Sequence, residues 1–242
     1  MGEARPKKDV SILLPACNEA LQIRKCIIKI EGAIQPLSNS YEIIVSEDGS
    51  TDGTDQIVAG LSEKNRNLCI LHSMVRLGKG KALKNALKAS EGTIIIFMDV
   101  DLATNLQSLP EFLQLVKETH GMVIGSRHVK GSRVQRRLSR TIFSLAYNLL
   151  VRLLFFDGVQ DHQCGFKAMS RNAADVILET MSDGFFFDTE LILRCKKKGF
   201  QIVEIGVEWA EKRGRGESKV RLFREATRIG LDLLKFKLTG KD

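Results

Sequence analysis

The sequence lacks several features that would place it in a well-marked class of protein. Its five cysteines are scattered and include no Cys-x-x-Cys pair, which indicates neither a zinc site nor a disulfide framework and suits a reducing compartment. Residues 1–9 are polar and contain no apolar signal core. The longest apolar stretch, 142–156, is interrupted by Asn148 and Arg152, so we expect it to be too short and too polar to span a bilayer.

Aromatic residues are also scarce, at 6% of the 242 residues, whereas the net charge is +8. A basic balance of this size favours anionic partners such as nucleic acid, anionic lipid or phosphorylated substrates. A nucleic-acid-binding module would need aromatic platforms or a recognisable motif, and the sequence offers neither. With 43% hydrophobic and 27% charged residues, the chain is suited to one folded domain with a proper core.

Short apolar runs alternate with helical patterns along the first half of the chain. Such an alternation, with short connections, predicts an α/β fold with a mostly parallel central sheet flanked by helices. Asn18 is a plausible cap for the first helix. The predicted strands are Val10–Leu14, Tyr41–Val45, Leu68–His72 and a buried run from Ile94, and the predicted helices are Ala20–Ile34, Asp55–Lys64 and a segment from Gly78 to Ala89.

The second half of the chain is less regular. We expect helices at Leu109–Thr119 and Asp188–Lys198, strands at Met122–Gly125 and Ile202–Trp209, and a turn-rich segment over 161–169. Two further segments, Val134–Leu154 and Val220–Leu238, carry an apolar stripe at helical spacing with basic residues beside it. The basic residues are Arg133, Arg136, Arg137, Arg140 and Arg152 for the first, and Arg221, Arg224, Arg228, Lys235 and Lys237 for the second.

Carboxylates follow several of the predicted strands directly. Asp99 and Asp101 end the central run, and Glu19 and Asp48 follow the first and second strands. Parallel strands bring their carboxyl ends to one edge of a sheet, where ligands collect. Two carboxylates there can hold a divalent cation, which in turn neutralises a diphosphate. Alternatively, Asp99 and Asp101 only cap a turn, and Asp48 belongs to an Asp-Gly turn.

A glycine-flanked lysine, in Gly78-Lys79-Gly80, opens the third predicted helix. The segment could cradle a phosphate, but it lacks the full pattern of a P-loop. A helix that opens with glycine accounts for it equally well.

Together these residues resemble the GT-A fold, family 2 glycosyltransferases. The motifs, in order over most of the chain, are Pro15-x-x-Asn18-Glu19, Glu47-Asp48-Gly49-Ser50-Thr51-Asp52-Gly53-Thr54, Asp99-x-Asp101 and Gly125-Ser126-Arg127. The second half resembles the polyprenyl-phosphate hexose synthases, which comprise dolichyl-phosphate mannose synthases and glucosyltransferases. The segments that carry this likeness are Asp161-x-Gln163-Cys164-Gly165-Phe166-Lys167, Phe187-Asp188-x-Glu190-Leu191 and Arg213-x-x-Gly216-Glu217-Ser218-Lys219.

The resemblance implies a single GT-A domain, with a nucleotide-sugar-binding half at 1–130 and an acceptor- and membrane-facing half at 131–242. It implies a site for the nucleotide sugar at Pro15, Cys17, Glu19, Ser46, Asp48, Asp99, Val100, Asp101, Arg127, Arg213 and Lys219. Asp99 and Asp101 would hold Mg²⁺ or Mn²⁺, and Arg127, Arg133 and Lys167 would bind the acceptor phosphate. The catalytic candidates are Asp101, Arg127, Asp161 and Asp188, of which the last two could instead form ordinary internal ion pairs.

The implied reaction moves a hexose, mannose or glucose, from GDP-mannose or UDP-glucose to a polyprenyl or dolichyl monophosphate, with inversion. A phosphate monoester is largely ionised near neutral pH, since its second pKa is about 6, so no strong base is needed. Positive charge is needed, to collect two anionic substrates and to stabilise the leaving diphosphate. The two basic amphipathic helices could lie in a membrane interface, or their stripes could pack on the sheet as core.

These expectations place the chain in the cytoplasm, at the cytoplasmic face of a membrane. The expected partners are the donor, the lipid acceptor, an anionic membrane surface and a membrane-anchoring subunit, without nucleic acid. Three rival functions stay open at this point: a nucleic-acid-binding module, a non-catalytic nucleotide-sugar binder, and a family 2 transferase with a soluble or polysaccharide acceptor.

Overall fold

The computed structural model describes residues 8–184, 186–211 and 232–238. Within these ranges the strands are β1 (Lys8–Ala16), β2 (Tyr41–Asp48), β3 (Leu68–Ser73), β4 (Gly92–Met98), β5 (Met122–Ser126), β6 (Arg133–Gln135), β7 (Phe166–Ser170), β8 (Ile202–Gly206) and β9 (Glu208–Ala210). The α-helices are α1 (Ile23–Ile34), α2 (Thr54–Ser62), α3 (Lys79–Ala89), α4 (Leu109–Thr119), α5 (Leu138–Phe155), α6 (Arg171–Ala174) and α7 (Phe187–Lys197). Residues 232–238 are helical as well.

Seven strands form one sheet in the order β3-β2-β1-β4-β7-β5-β8. Strands β1 to β4 are parallel, and β5 is parallel to β8, while β7 runs antiparallel to both of its neighbours. The predicted α/β fold with a mostly parallel sheet is therefore confirmed. Both the first and the second half of the chain contribute strands to this sheet.

The core lies on both faces of the central strands. Apolar runs in β1 and β4 are fully buried because helices cover the sheet on each side, and Phe97 and Ile96 of β4 lie at its centre. Helix α1 contributes one apolar stripe with Ile23, Ile27 and Ile30. The carboxyl ends of β1, β2, β4 and β5 consequently meet at a single edge, and the polar residues that follow them are brought together there.

Several sequence-based boundaries were wrong. Residues 166–169, expected in a turn-rich segment, belong to β7 (Phe166–Ser170), which inserts between β4 and β5. Asn18 does not cap α1. The helix begins five residues later, at Ile23, and Asn18 has a φ of 56° and accepts a hydrogen bond from the Thr51 N–H (2.9 Å). The strand expected over 202–209 is divided into β8 and β9, and Val134 lies in β6 rather than in α5.

Helix α5 has the reverse of the usual arrangement of a surface helix. Its buried residues are Ser144, Asn148 and Val151, while its apolar stripe is exposed. By length and composition α5 is long and apolar enough to cross a membrane. The expectation that this stretch is too short and too polar was therefore wrong. The exposed apolar residues are Leu138, Ile142, Phe143, Leu145, Leu149, Leu150 and Leu153.

The second predicted amphipathic helix, Val220–Leu238, lies mostly outside the described residues. Its helical end, 232–238, packs on the C-terminal part of α5, where Leu233 is buried with Val151 and Phe186. The Phe236 ring also meets the Phe155 ring at a centroid distance of 6.0 Å. This end of the helix therefore contributes to a small core on α5, whereas the alternative interpretation expected the stripe to pack on the sheet.

Candidate active site

The two acidic residues after β4 lie at the sheet edge with their carboxylates close to the chain that enters β7. Asp99 has a side chain that is 47% exposed, and its N–H donates to the Gly165 carbonyl (3.1 Å). A Cβ added at Gly165 would lie 1.9 Å from Asp99 Oδ2, so only glycine allows this approach. Asp101 Oδ1 accepts a hydrogen bond from the Ala103 N–H (3.0 Å). Val100, between them, is buried, so its side chain faces the core.

Asp99 and Asp101 suit a hard divalent cation because both offer carboxylate oxygens. Among the described residues, no group of three or more His, Cys, Asp or Glu side chains could hold a metal. Oxygen atoms of a bound ligand, such as a diphosphate, would have to complete the coordination of a cation placed here.

Two lysines and Asp188 extend the site inward from Asp99. Lys79 Nζ lies 3.3 Å from Asp99 Oδ1 and 2.9 Å from Asp188 Oδ2. Lys167 is fully buried, and its Nζ donates to Asp188 Oδ1 (2.7 Å) and to the Cys164 carbonyl (2.6 Å). Asp188 thus accepts from one lysine on each oxygen and fixes both cations behind the metal-binding acids.

The charge state of Asp188 follows from these contacts. Burial by itself would raise the pKa of Asp188, but the charges and hydrogen bonds of Lys167 and Lys79 lower the pKa below its ordinary value. Asp188 also lies in the first turn of α7, where a negative charge is favoured. The residue is therefore a permanent anion that positions lysines, and it is poorly suited to accept a proton.

Arg127 and Asp161 form a second buried ion pair at the end of β5. Arg127 Nε and Nη2 donate to the two oxygens of Asp161, each at 2.7 Å, and the Arg127 backbone N–H donates to Oδ2 (2.9 Å). Burial would raise the pKa of Asp161, but the hydrogen bonds and charge of Arg127 lower it to about 2. Asp161 therefore stays ionised and holds the guanidinium in one orientation.

The indole of Trp209 lies between two guanidinium groups. Arg127 stands 5.6 Å and Arg136 5.3 Å from the centroid of the ring. Arg136 Nε and Nη1 are buried and have no hydrogen-bond partner. Burial first, and then the charge of Arg127, lower the pKa of Arg136 to about 10, so it is still a cation at neutral pH. Buried cationic nitrogens without a partner are costly, and an anion bound beside Trp209 would satisfy these two.

The residues expected to contact the nucleotide lie at the ends of β1 and β2. Pro15 pairs with Ser46 in the sheet. The Glu19 N–H donates to Thr54 Oγ1 (2.9 Å). Asp48 is buried, and its two oxygens accept from the N–H groups that precede α3 (2.6 and 2.8 Å). Asp48 thus holds the loop before α3 in place, whatever further contact it makes.

Cys17 is half-buried at the same edge. Burial and the neighbouring carboxylates raise the pKa of its thiol, although the positive charge of Arg76 acts in the opposite direction. The thiol is therefore neutral at pH 7. Arg76 is an additional basic residue near the proposed nucleotide position, and it lies in the loop between β3 and α3.

The remaining predicted residues are not all brought together. Arg133 has a side chain that is 83% exposed and pairs with Glu208 (3.1 Å), so it lies on the surface. Lys167 is buried beneath Asp188, which separates it from any acceptor outside. Arg213 and Lys219 lie outside the described residues. The acceptor phosphate residues expected from the sequence are therefore divided among different environments, with Arg127 the one nearest the unpaired Arg136.

Sequence reasoning missed the contributions of Lys79, Gly165, Trp209 and the inward orientation of Arg136. Lys79 could be recognised only as part of a glycine-bearing helix start. Gly78 is required there because it has a φ of 101° and a Cβ would meet the Asp183 carbonyl oxygen at 2.5 Å. Nothing in the local pattern distinguished Arg136 from the exposed arginines beside it.

Comparison with known proteins identifies the family. Residues 11–178, more than half of the chain, match glycosyl transferase family 2. The chain belongs to this family. This chain is 36% identical over 231 residues to glycosyltransferase AglD of Haloferax volcanii. The match covers 94% of this chain and 36% of AglD. The chain thus spans only about a third of AglD. It is also 30% identical over 243 residues to the dolichyl-phosphate beta-glucosyltransferase of Dictyostelium discoideum, covering 94% of itself and 73% of that protein.

Solved structures share the GT-A fold of this glycosyltransferase. Glucosyl-3-phosphoglycerate synthase from Mycobacterium tuberculosis with UDP superposes with a TM-score of 0.68 at 22% identity, over 95% of this chain and 80% of that one. The same enzyme with Mn²⁺, UDP and phosphoglyceric acid gives a TM-score of 0.67 at 21% identity, over 96% and 79%. This likeness supports the fold, and the residues described above carry the argument about chemistry.

Proposed function

We propose that this family 2 glycosyltransferase transfers glucose from UDP-glucose to a polyprenyl monophosphate at the surface of a membrane, with inversion. The observation that carries the proposal is the pair of buried, unpaired nitrogens on the half-buried Arg136 guanidinium beside Trp209 and Arg127. Arg136 lies just before α5, a helix with an exposed apolar face. A substrate that combines a phosphate with a hydrocarbon chain would satisfy both features together.

The donor would bind at the edge formed by β1, β2 and β4. Asp99 and Asp101 would hold Mg²⁺ or Mn²⁺ together with the diphosphate, consistent with the solved structures of the mycobacterial synthase that contain Mn²⁺ or Mg²⁺ with UDP. The cation supplies charge that stabilises the leaving diphosphate. Lys79, at 3.3 Å from Asp99, keeps that carboxylate directed to the edge and adds positive charge beside it.

The acidic residues of the site fit an acceptor that needs no protein base. Asp161 is ionised and both of its oxygens accept hydrogen bonds from Arg127. Asp188 forms ion pairs with Lys79 and Lys167. Neither is well suited to take a proton near neutral pH, as attack by a sugar hydroxyl would require. A lipid monophosphate provides an already anionic nucleophile. These carboxylates therefore act as positioning residues for cations that collect two anionic substrates.

The two faces of α5 supply the membrane argument. Apolar side chains are exposed along the helix from Leu138 (75% exposed) to Leu153 (61% exposed), while its buried residues are the polar Ser144 and Asn148 and the apolar Val151. An interfacial helix places such an apolar face among lipid tails. Arg133 and Arg137 are exposed beside its start and could meet anionic headgroups. We place the protein at the cytoplasmic face of a membrane, where a membrane-anchoring subunit could also bind.

The choice of glucose rests on the names of the relatives, since several are dolichyl-phosphate beta-glucosyltransferases. The sequence alone leaves mannose open. Segments 78–80 and 161–167 resemble the glucosyl branch, and segment 216–219 resembles the mannosyl branch. A panel of UDP-glucose, UDP-galactose and GDP-mannose with a polyprenyl phosphate and Mn²⁺ tests the donor, and transfer from GDP-mannose alone would overturn the proposed sugar.

Arg136→Gln tests the acceptor site on a short, water-soluble prenyl phosphate, with Arg137→Gln as the matched control on an exposed neighbour. Losing a charge-assisted contact of about 1.5–3 kcal/mol should lower kcat/KM for this acceptor by roughly 10- to 100-fold. The KM for UDP-glucose should change less than about twofold, because Arg136 lies on the acceptor side. Equal, small effects of both substitutions would contradict the assignment of this residue to the acceptor phosphate.

A soluble phosphorylated acceptor is the second candidate. It is favoured by an open groove of about 990 Å³ that borders Trp209 and is lined in part by the polar residues Asn105, Gln107 and Gln135. The solved mycobacterial synthase was crystallised with phosphoglyceric acid. Extraction of labelled product into organic solvent distinguishes the two candidates, because glucose transferred to a polyprenyl phosphate leaves the aqueous phase and glucose transferred to phosphoglycerate does not.

A further inference from the structure

The inner face of α5 is connected to the active site by a buried chain of hydrogen bonds. Asn148 is buried, and its Nδ2 donates to the Ser144 carbonyl (2.9 Å), while Ser144 Oγ lies 3.1 Å from His128 Nε2. Asn148 Oδ1 accepts from the backbone N–H of His162 (3.0 Å) and lies 2.9 Å from His162 Nδ1. Polar groups at these positions are unusual for the buried side of a helix whose exposed side is apolar.

The orientation of the Asn148 amide is determined by its partners. A backbone N–H can only donate and a backbone carbonyl can only accept, so Oδ1 must face His162 and Nδ2 must face Ser144. His162 Nδ1 therefore donates to Oδ1, and His162 Nε2 meets Asp157 Oδ2 at 2.5 Å. Each polar atom of the Asn148 side chain thus has a buried partner, and Asn148 has no freedom to rotate without leaving one unsatisfied.

The two histidines of this hydrogen-bond network, His128 and His162, each directly follow a member of the Arg127–Asp161 pair in the sequence. Arg127 and Asp161 bond to each other, and the residues after them, His128 and His162, bond to α5 through Ser144 and Asn148. In each of the dipeptides Arg127-His128 and Asp161-His162, the histidine thus contacts α5 and the residue before it forms part of the acceptor site. A shift of α5 relative to the sheet would be transmitted to both ends of the Arg127–Asp161 pair.

We propose that Asn148 is a positioning residue that fixes the position of the acceptor site relative to the membrane-bound helix α5. The inference rests on the proposed function, because it concerns an acceptor that reaches the site from a bilayer. A lipid phosphate held in a bilayer lies at a depth set by the bilayer, and α5 lies at a depth set by its apolar face. The connection through Asn148 and His162 keeps Arg127 at the matching depth. A short prenyl phosphate in solution can reach the site at any depth, so its transfer does not depend on the position of the site relative to α5.

The test compares Asn148→Ala with the wild-type chain on two acceptors: a long-chain polyprenyl phosphate in vesicles of phosphatidylglycerol and phosphatidylcholine, and a short, water-soluble prenyl phosphate. Misplacement by about 1 Å can cost on the order of 100-fold in rate. We expect Asn148→Ala to sediment with vesicles like the wild type and to keep its KM for the donor. Its kcat/KM on the vesicle acceptor should fall at least about tenfold more than on the soluble one.

Matched variants distinguish a shift of the acceptor site relative to α5 from a general loosening of the fold. Ser139→Ala, on the exposed side of the same helix, is the matched control and should leave the ratio of the two kcat/KM values unchanged. If Asn148→Ala does not fold, Ser144→Ala removes only the hydroxyl facing His128 and should shift the ratio in the same direction by about threefold or more.

Equal losses on the two acceptors would mean that Asn148 has only a structural role, and they would overturn the inference. Unchanged kcat/KM on both acceptors would overturn it as well, while leaving the proposed function intact if the wild type glucosylates both acceptors. Failure of the wild type to use either prenyl phosphate would refute the proposed function, and the inference with it.

Discussion

Substituting Gly165 by alanine perturbs the site at the point where β7 approaches Asp99. The new Cβ would stand 1.9 Å from Asp99 Oδ2 and 2.4 Å from Cγ, whereas real contacts of this kind are at least 3.0 Å. The carboxylate must therefore move by about 1.1 Å (3.0 − 1.9). Because Asp99 is half-exposed, it can rotate away toward solvent, so the fold should survive while the carboxylate leaves its position beside Lys79.

The expected cost is a loss in turnover rather than in stability. A misplacement of about 1 Å at a reacting centre costs on the order of 100-fold in rate, which corresponds to about 2.7 kcal/mol. The assay is kcat as a function of Mn²⁺ concentration, with thermal unfolding of the same samples. Gly60→Ala is the matched control, since a Cβ there meets nothing within 4 Å. A Gly165→Ala variant with kcat within about threefold of the wild type would refute this account of the site.

Three further predictions use other parts of the structure. Asp101→Asn should lower metal-dependent kcat by about 10²- to 10³-fold, and full activity of this variant after EDTA treatment would contradict the assignment. Asp161→Asn leaves Arg127 buried without its partner, which should cost about 3–5 kcal/mol and lower the Tm by roughly 6–20 °C. Because the folded-state pKa of Asp161 is lowered to about 2, its stabilising contribution is present above its ordinary pKa of about 4 and is lost as pH falls toward 2, as a pH series of denaturant unfolding can show. Replacing both Arg133 and Arg137 by glutamine should weaken binding to anionic vesicles by roughly 30-fold at low salt, at about 1 kcal/mol per charge, and unchanged sedimentation would indicate that α5 does not dock there.

The part of the site carried by local sequence patterns could be predicted. An apolar run followed by Asp99 and Asp101 determines both the strand and the position of its acids, because strand ends in a parallel sheet meet at one edge. Arg127 follows β5 in the same way. The short stretch 166–170 could not be predicted as a strand, because it contains Lys167, a charged residue of the kind that is almost never fully buried unless paired. Its partner, Asp188, is 21 residues away in the sequence.

The orientation of Arg136 shows a second limit of the sequence. A helix with an apolar stripe and nearby arginines is typical of either a surface or an interfacial element, and in both cases the arginines are expected in solvent. Arg136 instead turns inward because Trp209, brought near by the pairing of β6 with β9, offers a ring face. Nothing in the spacing of residues 133–140 encodes this contact. The inner face of α5 was likewise unpredictable, since Asn148 simply interrupts an apolar run.

The reversed strand β7 also determines when the sheet can be completed as the chain is synthesised. β5 is made early, yet both of its partners, β7 and β8, come later in the chain. Until Ser170 has emerged from the ribosome, one edge of β4 and both edges of β5 have no partner strand. Exposed strand edges of this kind invite pairing with other chains. A nascent chain paused between β5 and β7 would therefore expose unpaired strand edges and be prone to aggregate.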